Sequence, residues 1–237
     1  MREIAIKCLV GSHNYNLNTE SSDKDYKIFC YPTFEDLYTN TYYHESVLGE
    51  KEDYDCHDIR RLPELLIKSN PNYLEVLFSK EYAIIVSEIK DFFDFYRGRI
   101  AKMNLPKLWS SLFGLGIQKS SKLIKGTEGT KHLVKQFGYD TKQAMHAHRA
   151  YNMIDTLVEN GFDFKNALWM DDVDRWGYIG IKNGIYELKE IEFSLECKKV
   201  KAKSLEDNFK NQPVDLQMMQ ILRDFIKNQV KNRISNY

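Results

Sequence analysis

The apolar and polar positions divide the chain into a strand-bearing first part and a helical second part. Ile4, Ala5, Ile6, Cys8, Leu9 and Val10 form a nearly continuous apolar run, which predicts a buried strand over Glu3 to Val10. Gly11-Ser12 ends it, and a glycine there permits φ > 0 or close backbone approach to a ligand. A polar, turn-prone stretch follows as a short helix or loop, with Ser21-Ser22 as turn or cap. Asp25 to Cys30 predicts a second strand, closed by Tyr31-Pro32. Thr33 to Tyr38 reads as a short helical or turn segment, and Thr41 to Val47 as strand or loop. Glu50 to His57 is acidic and alternates, so a third strand is expected there. Asp58 is placed to N-cap a helix over Ile59 to Ser69, whose Ile59, Leu62, Leu65 and Leu66 fall at helical spacing. Asn70-Pro71-Asn72 stops it. Tyr73 to Phe78 fits a fourth strand or a short buried helix.

From Ile85 onward the period is mainly helical. Amphipathic helices are predicted over Ile85 to Ile100, Lys107 to Lys125 and Asp140 to Asn160, with Gly161 placed to cap the last. Asp171 to Glu192 is interrupted by glycines and reads as a turn-rich piece or small hairpin. Ser204 to Ile234 reads as mostly one helix, with Leu216, Met219, Ile221, Leu222, Phe225 and Ile226 as its buried stripe. The change of period places a domain boundary near residue 100, giving 1–100 and 101–237, and the class is α+β.

Bulk properties narrow the reading. The 237 residues suffice for one large or two small domains, and 34 Lys+Arg against 34 Asp+Glu give zero formal charge. Global charge therefore makes no case for nucleic-acid binding, though a local basic patch is compatible with it. The four cysteines form no CxxC pair. Met1-Arg2-Glu3-Ile4 leads straight into a strand, so no signal peptide is expected. No apolar run approaches the ~20 residues that span a bilayer. A cytoplasmic protein with free thiols and no membrane contact is the expectation, and oligomeric state is not legible.

The chemistry concentrates around Gly11-Ser12 and Asp23-Lys24-Asp25. On a strand, Asp23 and Asp25 would share a face, with Lys24 opposite. Two carboxylates that close require a cation between them, and Mg²⁺ is usually held by one or two carboxylates plus phosphates. A third carboxylate is available in Glu50 to Asp55. Gly11 and Ser12 offer backbone N–H groups and a hydroxyl to phosphate. Cys56-His57 lacks partners at metal-ligand spacing and is expected to be buried. His146 and His148, two apart, cannot share a helix face.

Gly11-Ser12-His13-Asn14-Tyr15-Asn16-Leu17-Asn18-Thr19 followed by Ser22-Asp23-Lys24-Asp25 resembles the signature of the DNA polymerase β nucleotidyltransferase superfamily. It is most similar to a bacterial and phage branch of predicted nucleotidyltransferases, including members linked to RNA repair. Two further blocks resemble that branch: Asn70-Pro71 with Leu74-Glu75-Val76-Leu77-Phe78, and Tyr139-Asp140-Thr141-Lys142-Gln143-Ala144-Met145-His146 with Arg149. The resemblance runs from Gly11 to Arg149. It implies a palm of polymerase-β type, a small mixed sheet with helices, followed by a mainly helical domain that binds nucleotide or substrate. By the same resemblance Asp23, Asp25 and Asp53 are metal ligands and catalytic residues, with Asp55 as the alternative third carboxylate. Asn16 stands where a glycine is common, and Asn tolerates φ > 0 better than most residues.

Lys142, His146 and Arg149 lie four and three apart and share a helix face. With Gly11 and Ser12 they form the expected nucleotide-binding set. The implied activity is transfer of a nucleoside monophosphate from an NTP to an acceptor hydroxyl with release of pyrophosphate, using Mg²⁺ or Mn²⁺. The acceptor is open between an RNA or tRNA end, a protein and a small molecule. A catalytically inactive NTP- or RNA-binding regulator of the same fold, and an interaction protein with an acidic patch, are the rival readings.

Overall fold

The first strand, β1 (Ile4–Val10), forms where its apolar run predicts. The computed structural model describes residues 2–20, 22–49 and 52–234. Ser21 and Glu50, singled out above, lie outside the described residues, as does Met1. The chain divides into two compact units, Met1–Asn104 with Pro213–Tyr237, and Leu105–Gln212. The sequence pattern placed everything after residue 100 in one helical region, whereas the last stretch, from Pro213, groups with the first unit.

The first unit holds a five-stranded mixed sheet in the order β3-β4-β2-β1-β5. Its strands are β1, β2 (Lys24–Cys30), β3 (His44–Val47), β4 (Glu52–Asp58) and β5 (Tyr82–Ile85). β2 and β4 are parallel, and every other pair is antiparallel. β5 was not predicted, because Tyr82–Ile85 is only four residues long and merges with the helix that follows. That helix, α4, runs from Ser87 to Lys102. Between β2 and β3 lies α1 (Phe34–Tyr38).

The helix expected over Ile59 to Ser69 begins as a 3₁₀ turn, Ile59–Arg61, and continues as α2 (Leu62–Ile67). Asp58 caps it as predicted, accepting from the Arg60 N–H at 2.9 Å. Asn70-Pro71-Asn72 does more than stop α2. Asn70 Oδ1 accepts from the Asn72 N–H and opens α3 (Pro71–Leu74), with Pro71 at the first helical position. The helical alternative for Tyr73 to Phe78 is therefore the one adopted, with a 3₁₀ turn over Glu75–Phe78.

The second unit is helical: α5 (Leu105–Ser120), α6 (Lys131–Phe137), α7 (Thr141–Glu159), α8 (Phe164–Leu168), α9 (Asp172–Lys182), α10 (Leu188–Ser204) and α11 (Glu206–Lys210). The hairpin expected over Asp171 to Glu192 is absent from these described residues. Asp171 accepts from the Asp174 N–H and starts α9, and Gly184 at φ 70° makes the turn toward α10. Within α9, Gly180 packs against Tyr186, so it serves close packing rather than a break. The single helix expected after Ser204 divides into α11 and, in the first unit, α12 (Leu216–Ile234). Leu216 is exposed, while Met218 and Val230 join Met219, Leu222 and Ile226 in the buried stripe.

α1 is fixed by one buried carboxylate. Asp36 accepts from Thr33 N–H and Oγ1 at 2.8 and 2.7 Å, and pairs with Arg2 at 2.7 Å. Burial pushes its carboxyl up, but Arg2 and Thr33 outweigh this and hold it at about 2. The folded-state value lies below the unfolded one, so this stability is present above the unfolded carboxylate pKa and disappears as pH falls through the folded value. Replacing Asp36 by Asn is expected to cost about 2 kcal/mol at neutral pH. In urea unfolding, the gap between wild type and variant closes as the pH is lowered from about 4 to about 2.

Candidate functional site

The parallel ladder between β2 and β4 runs in register from Lys24 opposite Glu52 to Cys30 opposite Asp58. Side chains two apart on a strand share a face. Asp25, Lys27 and Phe29 therefore lie beside Asp53, Asp55 and His57 on one face, with Asp25 and Asp53 as direct partners. Asp23 is exposed and stands one residue ahead of β2, so strand alternation does not set its direction.

β1 borders the same site. Val10 pairs with Asp25. Gly11 then turns at φ 71° into the 3₁₀ turn Gly11–His13. A Cβ on Gly11 would collide with the Asp25 carboxylate. Glycine is thus required twice here, for its backbone conformation and for room. The Gly11 N–H, expected to meet phosphate, donates instead to Glu75 Oε2 at 3.1 Å. Ser12 follows in the turn, half-buried. Asn16 adopts φ 67°, the left-handed conformation anticipated where a glycine is common.

The loop between Ser12 and Asp23 is held by short contacts. The Leu17 N–H donates to Ser12 O at 2.9 Å. His13 Nε2 lies 2.9 Å from Ser22 O, and the Thr19 N–H donates to Ser22 Oγ at 2.9 Å. These anchor the residue immediately before Asp23.

The two candidate third carboxylates differ in their partners. Asp53 is half-buried, and its Oδ1 accepts from the Gly49 N–H at 3.1 Å. Asp55 meets Lys27 Nζ at 3.0 Å, Ser46 Oγ at 2.8 Å, His44 Nε2 at 3.0 Å and His57 Nε2 at 2.8 Å. Burial raises its carboxyl, but Lys27, Ser46 and His57 prevail and hold it well below the usual carboxylate range. Glu75 was not singled out from the sequence. Its signal was an acid set between Leu74 and Val76, both fully buried, in a run that must pack against the sheet.

In the second unit, α7 carries Lys142, His146 and Arg149. Asp140 is fully buried, caps α7 by accepting from the Gln143 N–H at 3.0 Å, and also accepts from Thr130 Oγ1. Tyr139, fully buried, donates to Tyr186 O at 2.9 Å. The Tyr139-Asp140 pair thus anchors the start of the helix. Lys142 is exposed, His146 half-buried and Arg149 buried. Burial, then Lys119, Arg149, Lys142 and Lys182, hold the His146 imidazole at about 3, so it is neutral at physiological pH. Burial and neighbouring lysines also lower the ammonium groups of Lys119 and Lys182. Neither of these two lysines was singled out from the sequence, because α5 and α9 bring them to α7 only through the fold. The structure therefore gathers Gly11, Asp25 and Asp53 in the first unit and Lys142, His146 and Arg149 in the second.

Among the described residues, no helix is long and apolar enough to cross a membrane. No curated protein matches the chain. Residues 2–109 match the family model of the RNA repair pathway DNA polymerase beta family. Over those residues, which carry the Gly11 turn and the paired Asp25 and Asp53, the chain is similar to that family.

Proposed function

We propose that the protein is a divalent-metal-dependent nucleotidyltransferase that moves a nucleoside monophosphate from an NTP to an acceptor hydroxyl and releases pyrophosphate. The observation that carries this reading is the pairing of Asp25 with Asp53 beside a glycine whose missing side chain makes room for Asp25. The donors offered by Asp23, Asp25 and Asp53 are all carboxylate oxygens, which suit Mg²⁺ or Mn²⁺. Such an ion, when bound, neutralises triphosphate charge and lowers the pKa of an attacking hydroxyl. Asp53 is favoured over Asp55 as third carboxylate, since it is Asp53 that pairs directly with Asp25.

The chain's own groups supply orientation and charge. Asp25 and Asp53 hold the metal-facing side of the nucleotide, and Asp53 takes part in activating the acceptor. Ser12 offers a hydroxyl to phosphate. In the second unit, Lys142, Arg149 and a neutral His146 suit an anionic group, and Lys119 and Lys182 add to the same positive field. The family description points to an RNA end as the first acceptor to test.

With Mg²⁺, labelled NTPs and RNA ends, the protein is expected to incorporate label. Replacing Asp25 or Asp53 by Asn should lower the rate about a hundredfold or more with the fold retained by circular dichroism. Nucleotide binding without transfer by wild type would make it a regulator of the same fold. Gly11→Ala is expected to lose transfer and about 1–3 kcal/mol of stability, read by chemical unfolding. Lys142→Ala should raise KM for the nucleotide more than it lowers kcat, measured by steady-state kinetics.

A further inference from the structure

A second cluster lies on the same sheet face, at its outer edge. Strand β3 is only four residues long, and its antiparallel register sets His44 opposite His57 and Ser46 opposite Asp55. The sequence shows Cys56-His57 without a metal partner at local spacing. The fold supplies one from another strand. His44 Nε2 lies 3.0 Å from Asp55 Oδ1, and His57 Nε2 lies 2.8 Å from Asp55 Oδ2. The two imidazoles stack with centroids 4.7 Å apart and an interplanar angle of 25°. One donor atom from each of the three residues falls within 4.8 Å of the other two. Donors sharing a tetrahedral zinc, with bonds of about 2.0–2.1 Å, stand roughly 3.3 Å apart. The fold thus brings the three donors close to ligating separation.

We propose that His44, Asp55 and His57 form a site for a divalent transition metal of the zinc type, which clips edge strand β3 to β4 and is separate from the Asp25–Asp53 pair. Two imidazoles and one carboxylate suit zinc, cobalt or nickel, whereas Mg²⁺ prefers oxygen donors alone. His57 is 4% exposed and anchors the site from below. His44 is exposed, so the ion enters from solvent and keeps an open coordination position. Tyr73 Oη, 3.1 Å from His57 Nε2, and Lys27 Nζ, 3.0 Å from Asp55 Oδ2, surround these ligands. Lys27 opposes a cation, yet it contacts only one carboxylate oxygen and leaves Oδ1 to His44 and Ser46. Asp55 lies two residues beyond Asp53, about 6.7 Å along the strand, so the two sites occupy successive positions of one face. This proposal does not rest on nucleotidyl transfer.

The test is metal binding by the full chain, with Zn²⁺ followed by calorimetry and Co²⁺ by its visible absorption. Wild type is expected to bind one equivalent of Zn²⁺, to melt at higher temperature with it, and to show cobalt bands without a thiolate charge-transfer band. His44→Ala, at an exposed position that leaves the core intact, should weaken Zn²⁺ binding about tenfold or more. The Asp25→Asn/Asp53→Asn protein should bind Zn²⁺ as wild type does. No zinc binding by wild type, unchanged binding in His44→Ala, a thiolate band, or loss of zinc in the Asp25→Asn/Asp53→Asn protein would each overturn the proposal.

Discussion

The in-register pairing of β2 with β4 is the constraint on which the candidate site rests. It alone places Asp25 beside Asp53, residues 28 positions apart in sequence. A slip of one residue would send one whole strand's side chains to the other face. Both faces resist that slip. On one, Ile28, Cys30 and Cys56 form a buried cluster with Ile4, Tyr43 and Tyr54 packed against it. On the other, Lys27 and Asp55, direct register partners, form an ion pair at 3.0 Å. Beyond the ladder, Asp58 caps the next turn and pairs with Arg60, which fixes the end of β4.

Charge is distributed unevenly, and the distribution fits the proposed chemistry. Asp55 and Asp36 each have a cationic partner within 3.0 Å. Asp53 instead accepts from a backbone N–H, and the carboxylates of Asp25 and Glu75 both lie against Gly11. The second unit shows the reverse imbalance. Lys119, Arg149, Lys142 and Lys182 act on His146.

Much of the fold was legible because the relevant signals are local. The β1 apolar run, the Asp58 cap and the helical period of α7 each declare themselves within a few residues. Asn16 is instructive. It stands where the resemblance has a glycine, Asn tolerates φ > 0, and it adopts 67°. What escaped depends on contacts distant in sequence. β5 has four residues and exists as a strand because β1 offers it an edge. Gly180 and Gly184 imitate hairpin punctuation, yet Gly180 packs against Tyr186 inside a helix and Gly184 makes an inter-helix turn. At the site, Asp25 and Asp53 could be named from motif and spacing. Glu75 on the Gly11 amide, and the commitment of Asp55 to Lys27 and two histidines, required the sheet register.

The central claim is that Asp25 and Asp53 act as one metal-binding unit. A double-mutant cycle on Mn²⁺ affinity in the presence of NTP, using Asp25→Asn, Asp53→Asn and both together, tests it most directly. If the two carboxylates share an ion, either substitution removes most of the binding and the double variant is little worse than the single ones, giving a coupling energy of about 1 kcal/mol or more. Additive losses, or Mn²⁺ affinity unchanged in either single variant, would contradict it.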